Sequence, residues 1–121
     1  MVIAVVDDLL FSSKIRSIAD QAGREVKFLR QAGGAFESIA TERPSLVILD
    51  LDREALDPIG LVRAIRADAA LRSIRLAAFV RHTSAGLIKD AREAGVDLVL
   101  ARSAFFPALA EMLAEDRPAT S

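Results

Sequence analysis

The sequence contains no cysteine and a single histidine in 121 residues. Without cysteine it can form neither a disulfide nor a thiolate metal site, and one histidine leaves almost no material for zinc sites or histidine-based triads. The absence of cysteine fits a reducing cytoplasm, which is where we expect the protein to work.

Long apolar segments and an excess of one charge are also missing. The first apolar segment, residues 2–6, ends at two aspartates and is too short for a signal peptide or a membrane span. Sixteen basic and seventeen acidic residues give a formal net charge of −1, which leaves no broad positive field for nucleic acid or an anionic membrane. We therefore expect neither nucleic acid nor membrane as a partner.

What the sequence does contain is a globular balance of 52 % apolar and 27 % charged residues, which argues against disorder. Short apolar segments alternate with segments of helical period at a spacing of roughly 20–25 residues, as in repeated strand–helix units. The predicted strands are residues 2–6, 26–29, 46–49, 76–80 and 98–100. The third strand has no polar alternation, so both of its faces should be covered, as in a central parallel strand.

Five strands that alternate with five helices predict an α/β fold. We expect a flavodoxin-like, doubly wound, five-stranded parallel sheet with strand order 2-1-3-4-5 and helices on both faces. Residues 1–116 form this domain, and residues 117–121 form a polar tail. Capping residues, turn residues and apolar periodicity predict the helix starts at Ser12 or Ser13, Gly33–Gly34, Asp57 with Pro58, Thr83 or Ser84, and Phe105.

Three aspartates follow the two strands that lie side by side at the centre of such a sheet. Asp7 and Asp8 follow the first strand, and Asp50 ends the third. Neighbouring strands are about 4.8 Å apart, so the three carboxylates should converge at the topological switch point. Three anions at that distance repel one another unless a cation joins them or one carboxyl binds a proton. An oxygen-rich site of this kind suits Mg²⁺.

At these residues the sequence resembles the receiver domain of two-component response regulators, the CheY-like family. Asp7-Asp8 is similar to the family's acidic pair, which binds Mg²⁺, and residues 46–50 are similar to the strand that ends in the phosphoacceptor aspartate. Asp57 falls where the family often has an aspartate, and residues 94–97 resemble the family's Ala-Gly-Ala-Asp before the fifth strand. The resemblance runs over residues 1–116 and implies Asp50 as phosphoacceptor, with Asp7, Asp8 and Asp50 as ligands of a weakly bound Mg²⁺.

Four positions in strands four and five and directly after strand five depart from the family pattern. Val80 stands where the family has the serine or threonine that contacts the phosphoryl group, and Val99 stands where it has the aromatic switch residue. Arg102 replaces the family's lysine, and Ser103 replaces the proline after it. The resemblance is thus to a divergent or pseudo-receiver member, in which the carboxylates are kept and the residues that report phosphorylation are lost.

The losses have physical consequences. Valine has no donor, so a phosphoryl oxygen left unpaired beside Val80 would cost roughly 1–3 kcal/mol. Val99 has no ring to rotate inward, so the element that would take two positions and couple the site to the surface is missing. Arg102 keeps the charge, and its guanidinium can hold Asp50 in a standing ion pair, thereby contacting the acceptor and substituting for the metal.

We therefore expect a receiver-like signalling module of a bacterial two-component-type system that acts through protein–protein interaction rather than as an enzyme. The alternative is a working phospho-receiver that accepts phosphate at Asp50 from a histidine kinase with Mg²⁺. A phosphatase, suggested by the Asp50-x-Asp52 pattern, is the third possibility. The resemblance implies a docking face over residues 84–115, with Phe106 partly exposed as an anchor for a histidine kinase or a downstream protein. No small-molecule substrate is expected, and His82 is interpreted as an exposed loop residue.

Overall fold

The fold is known from a computed structural model, which describes residues 1–81 and 85–115. Strands and helices alternate through these residues, as the sequence pattern predicts. The strands are β1 (Val2–Val5), β2 (Val26–Leu29), β3 (Leu46–Asp50), β4 (Arg75–Val80) and β5 (Leu98–Ala101). The helices are α1 (Leu9–Gln21), α2 (Ala35–Glu42), α3 (Pro58–Ala67), α4 (Ala85–Ala94) and α5 (Arg102–Glu115), with a short 3-10 turn at Glu54–Leu56.

All neighbouring strands are parallel, and their order is β2-β1-β3-β4-β5, which confirms the predicted topology. The central strand β3 is buried along its whole length, as its unbroken apolar sequence predicts. Because β1 and β3 are neighbours with Val5 opposite Leu49, the residues that follow these two strands meet at one edge of the sheet.

The helices cover both faces of the sheet. On one face, α1 and α5 pack through Ile15, Phe105 and Leu109 against alternate strand residues. On the other face, α2, α3 and α4 form a second core that includes Ile39 and Val62. We call these the α1–α5 face and the α2–α4 face.

Two helix starts differ from the sequence prediction. The side chain of Asp8 caps α1, whereas Ser12 or Ser13 was expected to do so; Ser12 is inside the helix, where its hydroxyl donates to the Asp8 carbonyl. Helix α5 begins at Arg102, three residues before the predicted Phe105. The predicted cap of α3 is confirmed, because Asp57 accepts a hydrogen bond from the Gly60 backbone.

Three predictions concern residues outside the described part of the chain. They are the cap of α4 at Thr83 or Ser84, the loop position of His82, and the polar tail at residues 117–121. Within residues 1–81 and 85–115, no helix has the length and apolar character needed to cross a membrane.

Candidate functional site

The predicted aspartates line one cleft at the carboxyl ends of the strands. Its volume is about 340 Å³, and its lining residues are Asp7, Asp8, Asp50, Asp52, Arg53, Arg81 and Arg102. The structure thus brings together the four residues that the sequence nominated at this edge, Asp7, Asp8, Asp50 and Arg102. It also adds Asp52, which the sequence raised only for the phosphatase alternative, and two arginines that sequence reasoning did not assign to the site. Four carboxylates therefore face three guanidinium groups, and the acids exceed the bases by one.

Asp50 is the most deeply placed of the acids, with 1 % of its surface exposed. Its Oδ1 accepts a hydrogen bond of 3.0 Å from the backbone N–H of Asp52, and its buried Oδ2 has no hydrogen-bond partner. Burial raises the pKa of the Asp50 carboxyl above the usual 3.8, and the Asp52 N–H and the Arg102 charge offset only part of that rise. Asp50 is therefore a buried carboxyl with one oxygen still available.

Arg102 is the cation nearest to that oxygen, although its main contact is with an aromatic ring. Its Nη2 lies 4.0 Å from Asp50 Oδ2, while its guanidinium carbon lies 3.7 Å from the centre of the Phe11 ring. The Nε of Arg102 is buried without a hydrogen-bond partner. The expected standing ion pair is thus present as a long, single contact, and the bidentate clamp that a guanidinium can make is not formed.

Asp7 is held by Arg53, which sequence reasoning did not connect with the site. Both Nε and Nη2 of Arg53 donate to Asp7 Oδ2, at 3.2 and 2.8 Å. Arg53 lies three residues after Asp50, in the loop that follows β3, so the same edge of the sheet brings it over Asp7. The one available signal was its place in the loop after β3.

Asp8 and Asp52 each bind a backbone N–H. Asp8 Oδ1 accepts from Phe11 N at 3.1 Å, which fixes the start of α1. Asp52 Oδ2 accepts from the backbone N–H of Arg81, directly after β4. Both bonds tie a loop at the cleft to a neighbouring element, so the acids help to position the site as well as to charge it.

The two valines at the departing positions are buried. Val80 is the last residue of β4, and neither its backbone nor its side chain reaches solvent. Val99 lies in β5, is 4 % exposed, and packs into the core of the α2–α4 face. A valine at either position offers no hydroxyl and no ring, so the positions are apolar packing sites as the sequence indicates.

Phe106 is half-buried, as expected, but its ring is engaged. It stacks on Phe11 with ring centres 5.9 Å apart and planes inclined by 20°, and it contacts Phe79 and Phe105. The ammonium group of Lys14 lies 5.3 Å from its centre. Among the described residues, the large apolar side chains that stand exposed are instead Leu9 and Leu10, in the first turn of α1.

The carboxylate oxygens have the chemistry that Mg²⁺ prefers, and the unpartnered Asp50 Oδ2 is an atom that a cation would take. Asp7 and Asp8, however, each have one oxygen bonded to a donor of the chain itself. Over residues 1–81 and 85–115, no group of three or more acidic or histidine side chains is arranged to hold a metal ion. The residues therefore suit the ion in type, whereas their present geometry favours the chain's own arginines.

No family model and no curated protein matches the sequence. Solved structures do match it. A response regulator from Hahella chejuensis superposes with a TM-score of 0.83 at 18 % identity, covering 93 % of this chain and 90 % of that one. The chemotaxis response regulator CheY4 of Vibrio cholerae gives a TM-score of 0.80 at 18 % identity, over 94 % and 95 % of the two chains.

A third similar structure is the receiver domain of a sensor histidine kinase from Pseudomonas aeruginosa, with a TM-score of 0.81 at 21 % identity, over 94 % and 93 % of the two chains. That structure is described with a magnesium ion coordinated in its active-site cleft. The similarity extends over almost the whole of each chain and includes the five-stranded order found here. The chain therefore has the fold of the response-regulator receiver domains of the CheY-like type.

Proposed function

We propose that the chain is a receiver-like signalling module of a bacterial two-component-type system that acts in the cytoplasm mainly by binding a protein partner. One observation carries this proposal: the acids of the cleft are bonded or opposed by donors of the chain itself. Arg53 holds Asp7, and Arg102 stands beside Asp50. Arginines that already lie against these acids compete with a metal ion or a phosphoryl group for them, so the cleft is poorly prepared for either ligand.

The valines support the same conclusion. A second, phosphorylated state must gain contacts that the first state lacks, because a group shifts an equilibrium only through its differential affinity for the two states. Val80 presents no donor to a phosphoryl oxygen, and Val99 has no ring to exchange between two positions. Phosphorylation of Asp50 would therefore be poorly coupled to the α2–α4 face, whose core holds both valines, as proposed for an atypical phosphorylation site.

The alternative is a working phospho-receiver, which the unpartnered Asp50 Oδ2 favours. In that function Oδ2 attacks the phosphorus of a phosphohistidine, the N–P bond breaks, and the kinase imidazole leaves with the bonding electrons. Asp7, Asp8 and Asp50 would hold Mg²⁺ weakly, and the ion would neutralise charge on the phosphoryl group. Arg53 and Arg102 oppose that binding because each already lies against a proposed ligand.

Partner binding separates the two functions. We expect Asp50→Asn to leave the affinity for a partner recovered from the source organism unchanged, because docking does not depend on the acceptor carboxylate. The measurement is the dissociation constant of the purified partner for the unmodified chain and for the variant, each with and without Mg²⁺ and acetyl phosphate. Asp20→Asn, at the exposed end of α1, is the matched control. A tenfold change with Asp50→Asn alone, about 1.4 kcal/mol of coupling, would establish the phospho-receiver instead.

We also expect no turnover of small phosphoesters above background. Arginines line the cleft, and it holds neither a lysine nor a histidine among its described residues. It thus offers no side chain of suitable pKa to protonate a leaving group other than a buried carboxyl. Hydrolysis of a generic aryl phosphate, followed by absorbance with and without Mg²⁺, tests this expectation. Turnover that disappears in Asp50→Asn would make the protein an enzyme and remove the binding-module proposal.

A further inference from the structure

Phe11 is joined to the cleft by two separate contacts. Its backbone N–H donates to Asp8 Oδ1 at 3.1 Å, and its ring carries the guanidinium of Arg102 at 3.7 Å. The same ring stacks on Phe106 and lies 5.8 Å from the ring of Phe79. One residue thus contacts the acid site through its backbone and its ring, and the first turns of α5 through its ring.

Arg102 lies between two attractive groups and fully satisfies neither. The centre of the Phe11 ring is 3.7 Å from the guanidinium carbon, whereas Asp50 Oδ2 is 4.0 Å from Nη2. Buried atoms on both sides, Arg102 Nε and Asp50 Oδ2, have no hydrogen-bond partner. A desolvated cation–π contact and a charge pair at this distance are of the same order of energy. A change of charge at Asp50 therefore alters which group holds Arg102.

We propose that Phe11 is the positioning residue of Arg102. A change of charge at Asp50 then displaces Arg102, Arg102 displaces the Phe11 ring, and the displacement is felt at Phe106 and Lys14 on the protein surface. The inference deepens the proposed function, on which it rests only for the role of Asp50 as acceptor. It assigns the response of the site to the α1–α5 face.

The route through Phe11 and a route through the position of Val99 lie on opposite faces of the sheet. Val99 packs into the core of the α2–α4 face, whereas Phe79, Phe105 and Phe106 belong to the core of the α1–α5 face. Arg102 is also the first residue of α5, and its guanidinium carbon lies 5.7 Å from the centre of the Phe79 ring as well as over Phe11. A displacement of the Arg102 guanidinium therefore acts first on the aromatic rings of the α1–α5 face.

The experiment compares backbone-amide and aromatic NMR spectra of the unmodified chain and of Asp50→Asn. We expect resonances of Phe11, Lys14 and Phe106 to shift, in addition to those of the loop after β3. Asp52→Asn is the matched control, because it removes a carboxylate of the same cleft that contacts the Arg81 backbone and not Arg102. Its shifts should remain near residues 50–53 and 81.

A second pair of variants tests the positioning role. In a Phe11→Leu background, Asp50→Asn should no longer shift Lys14 and Phe106, whereas Phe11→Tyr, which keeps a ring under the guanidinium, should restore the shifts. If Phe11→Leu does not fold, Arg102→Gln takes its place, because it removes the charge and keeps most of the length. Shifts at Lys14 and Phe106 that persist without the ring, or a response confined to β5, would overturn the inference. Because these NMR experiments contain no partner protein, a negative result would leave the partner-binding test of the proposed function unaffected.

Discussion

Replacing Arg66 with alanine is expected to lower the free energy of unfolding by about 2–4 kcal/mol, because a partly buried guanidinium loses several hydrogen-bond partners at once. Arg66 lies in the last turn of α3, and its guanidinium donates to four acceptors. They are the carbonyls of Gly95, Arg72 and Ile74 and the Oδ2 of Asp97, all at 2.8–2.9 Å. These acceptors belong to the segments before β4 and β5, so one side chain joins three parts of the fold.

Urea denaturation followed by circular dichroism measures this effect. Arg63→Ala is the matched control, because Arg63 is exposed on the same helix and should change stability by less than about 0.5 kcal/mol. Arg66→Lys should recover only part of the loss, because an ammonium group cannot reproduce the planar fork of donors. An Arg66→Ala protein as stable as Arg63→Ala would show that the four hydrogen bonds of Arg66 add nothing to stability.

Removing Arg53 and Arg102 together is expected to tighten Mg²⁺ binding at least tenfold. Arg53 competes directly for Asp7 Oδ2, and Arg102 places a positive charge beside the oxygen of Asp50 that a metal would take. Exposed ion pairs are worth about 0–1 kcal/mol, so Arg53→Ala alone should tighten binding by a few-fold. Arg102 is mostly buried, and its repulsion of a divalent ion is screened less, so Arg102→Ala should have the larger effect.

Titration with Mg²⁺ while backbone-amide shifts near residues 7, 8 and 50 are recorded gives the affinities. Arg63→Ala again serves as control, since it removes an exposed positive charge that does not line the cleft. Unchanged affinity in the double variant would show that the arginines do not oppose the ion. No shift in any variant at tens of millimolar, about the highest useful level for such ions, would remove Mg²⁺ from the proposed function.

The fold was predictable because its signals are local. Residues 46–49 form an unbroken apolar strand, and Asp57 with Pro58 begins a helix as the capping rule requires. The predicted start of α1 was wrong because Ser12 and Ser13 satisfy the helix-capping rule as well as Asp8 does. Sequence alone does not show which of these side chains accepts a hydrogen bond from the first turn of the helix. The start of α5 was wrong because Arg102, Ser103 and Ala104 lack the apolar period by which the helix was recognised.

The site was predictable only as far as the resemblance to the receiver-domain pattern reached. Asp7, Asp8 and Asp50 follow from strand order, and their convergence in one cleft is confirmed. Arg53 was missed because an arginine in a polar loop has no direction until the fold places it over Asp7. The cation–π contact between Arg102 and Phe11 joins residues 91 positions apart in the sequence, and no periodicity reports a contact of that kind.

Arg53 and Arg102 differ in exposure, so their ion pairs should respond differently to salt concentration. The side chain of Arg53 is 52 % exposed, whereas that of Arg102 is 18 % exposed. Mobile ions shorten the reach of a surface charge from about 10 Å at 0.1 M to about 3 Å at 1 M, and they act far less on charges inside a protein. Rising ionic strength thus weakens the hold of Arg53 on Asp7 first, while Arg102 stays on its ring beside Asp50. High salt therefore weakens the exposed Arg53–Asp7 ion pair of the cleft and leaves the buried Arg102–Asp50 contact largely unchanged.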